Sequence, residues 1–304
     1  MSADELSVGL SALNVYPVKS CAGVSVQESL LIETGLEFDR AWMVVDAQGL
    51  QVTQRELPRM ALIQPTLKHT EVVLRAPGML ALHLAIDAAE GPVRVKVWDD
   101  EVAAYDMGDL AAQWFSDFLG QPATPPRGDD AEGVSGSRFP LRLVRFDPEH
   151  KRLSSKKWTG DIAAENAFSD GFPILVISEA SLADLNQRLA SLGKEPVTMA
   201  RFRPNLVLSG LDAHGEDHLD EIRITTPEGP VRLKLVKPCP RCPLPNVNPL
   251  TGEMGHEPGD TLSTYRANAL LDGAITFGMN AVIVEGIECG LRVGQAGTAS
   301  YRFD

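Results

Sequence analysis

Apolar positions along the first third of the chain recur with the period of half-buried strands. Between 6 and 15, Leu6, Val8, Leu10 and Ala12 alternate with other residues before Tyr16-Pro17 stops the run. Short apolar runs follow at 41–45, 62–64, 72–74, 80–84 and 93–97, with Asp46-Ala47-Gln48-Gly49 and Pro77-Gly78 as turn signals. Strands this short and this closely spaced predict a barrel or sandwich rather than βαβ units. One helix interrupts them. Asp109 stands near its cap, Leu110, Trp114, Phe115 and Phe118 share a face, and Gly120 marks its end.

The stretch 121–137 is rich in Pro, Gly, Asp and Ser and reads as a linker between a first domain at 1–122 and a second at 138–304. Beyond it a strand is expected at 141–146 and another at 174–177. Ser178 then caps a helix that carries Leu182, Leu185, Leu189 and Leu192 at helical spacing and ends at Gly193. Strands at 206–208, 221–225, 231–236, 274–284 and 291–293, with a short helix at 261–268, complete a mixed, β-rich α+β fold. No internal repeat is apparent.

Composition narrows the class. A chain of 304 residues that is 44% hydrophobic suits two soluble globular domains. Its first residues lack a basic region followed by an apolar core, and no later stretch offers the roughly twenty apolar residues of a membrane span, which points to the cytoplasm. Four cysteines form no disulfide framework. A net charge of −13 argues against binding nucleic acid polymer or anionic membrane, so any bound phosphate needs a local basic pocket. Lys151-Arg152 and Lys156-Lys157 make the one dense basic run, which reads as a solvated face or as a basic lip over a pocket.

Candidate chemistry centres on Cys239-Pro240-Arg241-Cys242. The prolines around it predict that a strand ends there and a rigid loop begins. Arg241 favours a thiolate, which is either a nucleophile or a metal ligand. Four readings stand beside one another: inert thiols, structural zinc with His256 and Cys289, a redox dithiol, or one cysteine on a soft metal whose other ligands come from a cofactor. Zinc lacks its expected partner pair, and Pro243 and Pro245 bar the helix that a thioredoxin-like dithiol opens.

Three other stretches carry polar chemistry. Lys19 and Ser20 stand side by side after the first strand, yet Leu13 and Val18 replace the glycines of a nucleotide-binding loop. Arg203-Pro204-Asn205 fixes a guanidinium directly before a strand, either for a surface ion pair or for an anionic ligand. His214 and His218 lie in what reads as an exposed acidic loop. No iron–sulfur spacing, haem-attachment motif or dinucleotide fingerprint accompanies them.

Cys239-Pro240-Arg241-Cys242 with Asn248-Pro249-Leu250-Thr251-Gly252-Glu253 resembles the signature of MOSC domains, the C-terminal domain of molybdenum cofactor sulfurases, and within them the amidoxime-reducing branch. Tyr16-Pro17-Val18-Lys19-Ser20-Cys21-Ala22-Gly23 resembles the opening motif of the N-terminal domain that accompanies it. Phe38-Asp39-Arg40-Ala41-Trp42-Met43-Val44-Val45, Val52-Thr53-Gln54-Arg55-Glu56-Leu57-Pro58-Arg59, Val97-Trp98-Asp99-Asp100 and Phe202-Arg203-Pro204-Asn205 extend the resemblance over essentially the whole chain.

That resemblance implies an N-terminal MOSC β-barrel domain, a C-terminal MOSC β-barrel with flanking helices, and a molybdenum–molybdopterin cofactor. It makes Cys242 the metal ligand and catalytic sulfur, and makes Lys19, Ser20, Arg40, Ser169, Asp170, Gly171, Arg203, Asn205 and Arg241 the residues that hold the cofactor. Gly171 and Phe172 stand where relatives often carry small hydroxyl residues, so only backbone contact is expected there. The implied reaction is reduction of small N-hydroxylated compounds (amidoximes, hydroxylamines, N-hydroxylated bases). Its electrons come from a separate ferredoxin, b-type cytochrome or reductase, for which the basic run is a candidate guide. The other reading is a non-catalytic carrier of molybdenum cofactor or sulfur, without a pyridoxal-phosphate desulfurase domain of its own.

Overall fold

The computed structural model describes residues 5–120 and 139–302. The linker expected at 121–137 lies outside them. Strand exceeds helix, 41% against 18%, as the alternating pattern predicts.

Seven strands close into a barrel in the order Ile174–Ser178, Leu206–Ser209, Glu5–Val15, Ala296–Tyr301, Leu219–Thr225, Pro230–Pro240 and Ala274–Glu285, and the last pairs back with the first. Only Ile174–Ser178 and Leu206–Ser209 run parallel. A parallel pair needs a crossover, and the helix Glu179–Ser191 supplies it. Ser178 caps that helix by accepting the Ser181 N–H at 3.1 Å. Leu185 and Leu189 are buried, while Leu192, expected on the same face, is exposed at the helix end.

The N-terminal strand thus lies in a barrel whose other strands all follow residue 139. Its alternation changes phase on the way: Val8 and Leu10 are buried, and then Leu13 and Val15. A register shift between Leu10 and Ala12 accounts for the change, because one extra residue turns every later side chain to the other face.

A second sheet runs Trp42–Val45, Arg142–Phe146, Asp100–Asp106 and Gly91–Val97. It also joins strands from both sides of 121–137. Trp42–Val45 shows no polar alternation because both of its faces are covered. Trp42 and Val44 pack with Trp114, Phe115 and Phe118 of the helix Asp109–Leu119. Met43 and Val45 pack with Val95, Val97, Phe146 and Phe168.

Several elements depart from the expected boundaries. Leu110 is exposed, since the buried stripe of its helix follows Ala111, Phe115 and Phe118. Instead of a strand at 62–64 there is a 3-10 turn, Pro58–Leu62, followed by the strand Gln64–Leu67. The strand expected at 80–84 is Leu82–Ala85, with Leu80 in solvent. Of the helix expected at 261–268 only Gly259–Ser263 forms, because Ala267–Asn268 pairs with Ala274–Glu285. No helix among the described residues is long and apolar enough to cross a membrane.

The seam that closes the barrel depends on Gly278, at φ +80°. A Cβ there would lie 2.5 Å from Ile177 Cγ1 and 2.8 Å from the Val176 carbonyl oxygen. Gly278→Ala should therefore lower unfolding free energy by about 2 kcal/mol, combining a left-handed backbone with a steric clash. Urea unfolding monitored by circular dichroism checks this; a loss under about 0.5 kcal/mol would mean that the seam yields freely.

Candidate active site

Antiparallel pairing of Glu5–Val15 with Leu206–Ser209 sets the turn after the first strand beside the segment before the second. Asn14 N–H donates to the Asn205 carbonyl at 2.9 Å, and Tyr16 Oη donates to the Pro204 carbonyl at 3.2 Å. Val18 then bridges to Trp42, with Lys19 N–H donating to the Trp42 carbonyl at 2.8 Å. Ser20, Arg40 and Arg203 all hold positive φ, at +65°, +50° and +60°. Three residues bordering one cavity thus occupy a backbone region that non-glycine residues rarely visit.

A third segment, 166–172, is held from behind. Arg152 is 6% exposed, and its Nη1 donates to Asn166 Oδ1, the Ala167 carbonyl and the Ser169 carbonyl at 2.6, 2.9 and 2.6 Å. Its Nε donates to Asp100 Oδ2 at 2.8 Å. The basic run expected to be a solvated face or lip is therefore divided: Arg152 is a buried strut, Lys151 pairs with Glu165 at 2.6 Å, and Lys156 and Lys157 remain exposed.

The cysteine stretch also differs from expectation, for the strand continues through Pro238 and Cys239 to Pro240. Register slips at Leu235/Lys237 and Pro238/Pro240 leave Val236 and Cys239 without partners in the ladder, while Pro238 and Pro240 stay opposite Met279 and Thr276. The Arg241 N–H returns to the Ile275 carbonyl at 2.8 Å. Arg201 Nη1 then fastens the following turn through the Pro245 and Val247 carbonyls at 3.0 and 3.2 Å.

These segments surround one cavity of about 130 Å³, and its wall contains Lys19, Ser20, Arg40, Ser169, Asp170, Gly171, Arg203, Asn205, Arg241 and Cys242 together. A wider cavity of about 690 Å³ adjoins it past Arg55, Asp170, Phe172 and Cys242.

Cations dominate the inner wall. Lys19 is buried, and its Nζ donates to Asp170 Oδ1 at 2.6 Å and to the Phe168 carbonyl at 2.8 Å. Burial pushes the Lys19 ammonium below its ordinary value, with Asp170 opposing that shift. The Asp170 side chain is 62% exposed at the cavity mouth; enclosure by the protein pushes its carboxyl up, yet Lys19, Arg55 and Arg40 outweigh that and hold the carboxyl well below the usual range. Arg40 Nη1 grips Asp39 at 2.7 and 2.6 Å. The guanidinium carbons of Arg40 and Arg203 lie 4.3 and 4.2 Å from the Tyr16 ring centroid. Burial raises the Tyr16 hydroxyl to about 12 and lowers the Arg203 guanidinium to about 10.

Two donors of this wall are buried without a partner, Arg203 Nη2 and Arg241 Nε. Other nitrogens of the same groups are engaged: Arg203 Nη1 donates to the Cys21 carbonyl at 2.5 Å and Arg241 Nη2 to the Phe202 carbonyl at 2.7 Å. Orphaned guanidinium donors beside a cavity suit an acceptor-rich ligand. Among the described residues Arg203 makes no ion pair, and its Nη2 lies buried rather than on the surface. Asn205 is committed to the scaffold, its Oδ1 accepting from Leu175 N–H at 3.1 Å and its Nδ2 donating to the Asn14 carbonyl at 3.3 Å.

Each cysteine has its own guanidinium. Arg241 Nη1 donates to Cys239 Sγ at 3.0 Å, whereas Cys242 Sγ accepts from Arg55 Nη2 at 3.2 Å. Arg55 also stacks on Trp98, 4.7 Å from the ring centroid, and Trp98 Nε1 donates to Asp170 Oδ1 at 3.3 Å. Sequence reasoning singled out neither Arg55 nor Trp98 as a site residue, although both fall within stretches that resemble family motifs.

The zinc reading finds no geometry, because Cys289 is buried in the barrel core and no group of three His, Cys, Asp or Glu side chains among the described residues could hold a metal ion. The histidine loop, expected to be exposed, is packed at His214, whose ring stands edge-on to Tyr265 and Phe277 and meets Asp184 at 3.1 Å. Glu216 beside it is fully buried and accepts from Ser178 and Ser181.

Comparison with known proteins defines the class first. Residues 7–122 match the MOSC N-terminal beta barrel domain and residues 163–297 the MOSC domain. The chain is 36% identical over 286 residues to mitochondrial amidoxime reducing component 2 of Rattus norvegicus, covering 89% of this chain and 77% of the relative. To mitochondrial amidoxime-reducing component 1 of Homo sapiens it is 37% identical over 267 residues, covering 84% and 72%. It belongs to this family of amidoxime-reducing components.

Arg152 offers a test of how the third segment is held. Arg152→Met should cost about 3 kcal/mol in urea unfolding, because three buried acceptors and Asp100 lose their donor. A loss below about 1 kcal/mol would show that solvent or neighbouring groups replace the guanidinium.

Proposed function

We propose that this chain is a molybdenum cofactor-dependent reductase of N-hydroxylated compounds that draws its electrons from a separate protein. Membership in the amidoxime-reducing family supports this. The observation that carries it at the site is Cys242 Sγ, half-buried between the two cavities and facing Arg55, with the orphaned donors of Arg203 and Arg241 in the same wall.

The residues present fit the cofactor. Cys242 offers the soft donor that molybdenum prefers, and Arg55 beside it balances the charge of a thiolate and fixes its direction. Arg203 Nη2 and Arg241 Nε are available to a polar pterin edge or a phosphate, with Lys19, Ser20 and Arg40 supplying positive charge and hydroxyl close by. Gly171 meets nothing within 4 Å of where a Cβ would stand, so ligand atoms can approach its backbone. Asn205 acts one step removed, accepting from Arg40 Nη1 at 3.3 Å and steadying it. When bound, the cofactor supplies two-electron reduction of the N–O bond.

The donor is a ferredoxin, b-type cytochrome or reductase. Lys156 and Lys157, exposed next to Ser155 and Trp158 of the wider cavity, are the charges an acidic donor would meet.

Protein produced in cofactor-competent cells should contain about one molybdenum per chain, and Cys242→Ser should lower that content or its reactivity at least about tenfold, a hydroxyl being a poor soft-metal ligand. Reduced viologen should drive benzamidoxime reduction, whereas NADH alone should not. Zinc in place of molybdenum, or loaded protein that reduces no N-hydroxylated compound yet passes its cofactor to an apo-enzyme, would overturn the reductase.

Arg203→Met should cut cofactor retention about tenfold while apo stability stays within about 1 kcal/mol of wild type. Removing a desolvated cation relieves a cost that offsets the lost bond to the Cys21 carbonyl. Gel filtration followed by molybdenum analysis reads the first quantity and urea unfolding the second; unchanged retention would place the ligand elsewhere.

A further inference from the structure

The geometry points to a substrate class: the wider cavity takes flat aromatic compounds that carry an anionic group, and Lys237 is the counter-charge. This rests on the reductase reading for its chemistry, though not for the binding itself. At about 690 Å³ the cavity is of the size that holds small organic molecules, and it reaches Cys242 on one side. Trp98, Trp158 and Phe172 contribute flat apolar surface to its wall.

Its charges do not balance. The two carboxylates in the wall are already taken, Asp100 by Arg152 at 2.8 Å and Asp170 by Lys19 at 2.6 Å. Arg55 and Arg241 are turned to the sulfurs of Cys242 and Cys239. Lys237 is left. No ion pair reaches it among the described residues, and its Nζ stands 5.3 Å from the Trp158 ring centroid and 5.8 Å from that of Phe172. The strand bulge at Leu235/Lys237 lets it follow two buried residues and still reach the cavity wall, with Asn280 Nδ2 donating to its carbonyl at 3.3 Å.

An ammonium held over two aromatic rings in a chain of net charge −13 is an anchor for an anion. A ring lying against Trp158 or Phe172 with a carboxylate on Lys237 would extend toward Cys242. The cavity thus favours a substrate with its anionic group at the far end from the N–O bond.

The test compares 4-carboxybenzamidoxime with benzamidoxime, using reduced viologen and the holoenzyme. In wild type the ratio of kcat/KM values, carboxylated over neutral, should be about 5; in Lys237→Met it should fall to about 1 through KM, and Lys237→Arg should restore most of it. Equal ratios in wild type and Lys237→Met would overturn the inference and leave the reductase standing. Separately, 4-carboxybenzamidine, which has no N–O bond to reduce, is titrated against the protein by tryptophan fluorescence, Trp98 and Trp158 lying in the cavity wall. Wild type should bind it about fivefold more tightly than Lys237→Met. That difference without turnover of either amidoxime would sink the reductase and keep the anion site; no difference would sink the site.

Discussion

The strand Glu5–Val15 is hydrogen-bonded along both edges, to Leu206–Ser209 and to Ala296–Tyr301, and the cavity depends on that double pairing. Because Leu13 faces Leu206 in antiparallel register, the residues just after one strand must meet the residues just before the other. Tyr16 to Cys21 and Phe202 to Asn205 are therefore neighbours by construction, and the contacts of Tyr16 with Pro204 and of Arg203 with Cys21 follow from it. The other constraint comes from Trp42, which joins Val18 through a bridge, while the Arg40 N–H donates to the Tyr16 carbonyl at 2.8 Å and Arg40 grips Asp39 in the same corner. Without the N-terminal strand the barrel would lack one of its staves, and the cavity would lose Lys19 and Ser20.

So many cations in one corner carry a cost that the protein meets unevenly. Asp39 neutralises Arg40 and Asp170 neutralises Lys19, but Arg203 and Arg241 form no ion pair among the described residues. Both rest on aromatic faces instead, Arg203 on Tyr16 and Arg241 on Phe202, and both donate to backbone carbonyls. Aromatic faces and carbonyls hold a guanidinium without quenching its charge. The wall thus keeps two guanidinium groups without a carboxylate partner inside an acidic protein, which is the feature that the proposed acceptor-rich ligand rests on.

Strands with regular Leu and Val alternation were legible in the sequence; those that rely on their neighbours were not. Asp100–Asp106 has acidic residues at its ends and mainly alanine and valine within, and Ala296–Tyr301 is built of small residues, so neither shows an apolar period of its own. Each is stabilised by ladders on both edges, which only the assembled sheet provides. The same blindness applies to partner choice, since nothing local to residues 5–15 says that they pair beyond residue 200. The ten residues singled out as candidates lie in one wall; Lys19, Ser20, Arg203, Arg241 and Cys242 stand out by their local sequence, whereas Arg40, Ser169, Asp170, Gly171 and Asn205 are named only by the family resemblance. Arg55 and Trp98 are visible only as parts of motif stretches and Arg152 only as part of a basic run, because an arginine or tryptophan in a polar stretch has no local mark of the contacts it makes far away.

The two cysteines three positions apart illustrate that limit at its sharpest. Cys239 lies within a strand and packs against a cluster that includes Leu175, Phe202 and Phe277, but its guanidinium comes from Arg241, two residues on. Cys242 lies beyond the strand, and its guanidinium comes from Arg55, 187 positions earlier. Arg55 in turn is positioned by Trp98, which occupies the turn between Gly91–Val97 and Asp100–Asp106 at φ +55° and reaches Asp170, the partner of Lys19. A chain of contacts thus runs from the second sheet through Trp98 and Arg55 to one sulfur and leaves the other aside. Both sulfurs line the two cavities, but the guanidinium beside Cys242 arrives only when barrel and sheet are assembled, so the surroundings of that sulfur are conditional on the complete fold.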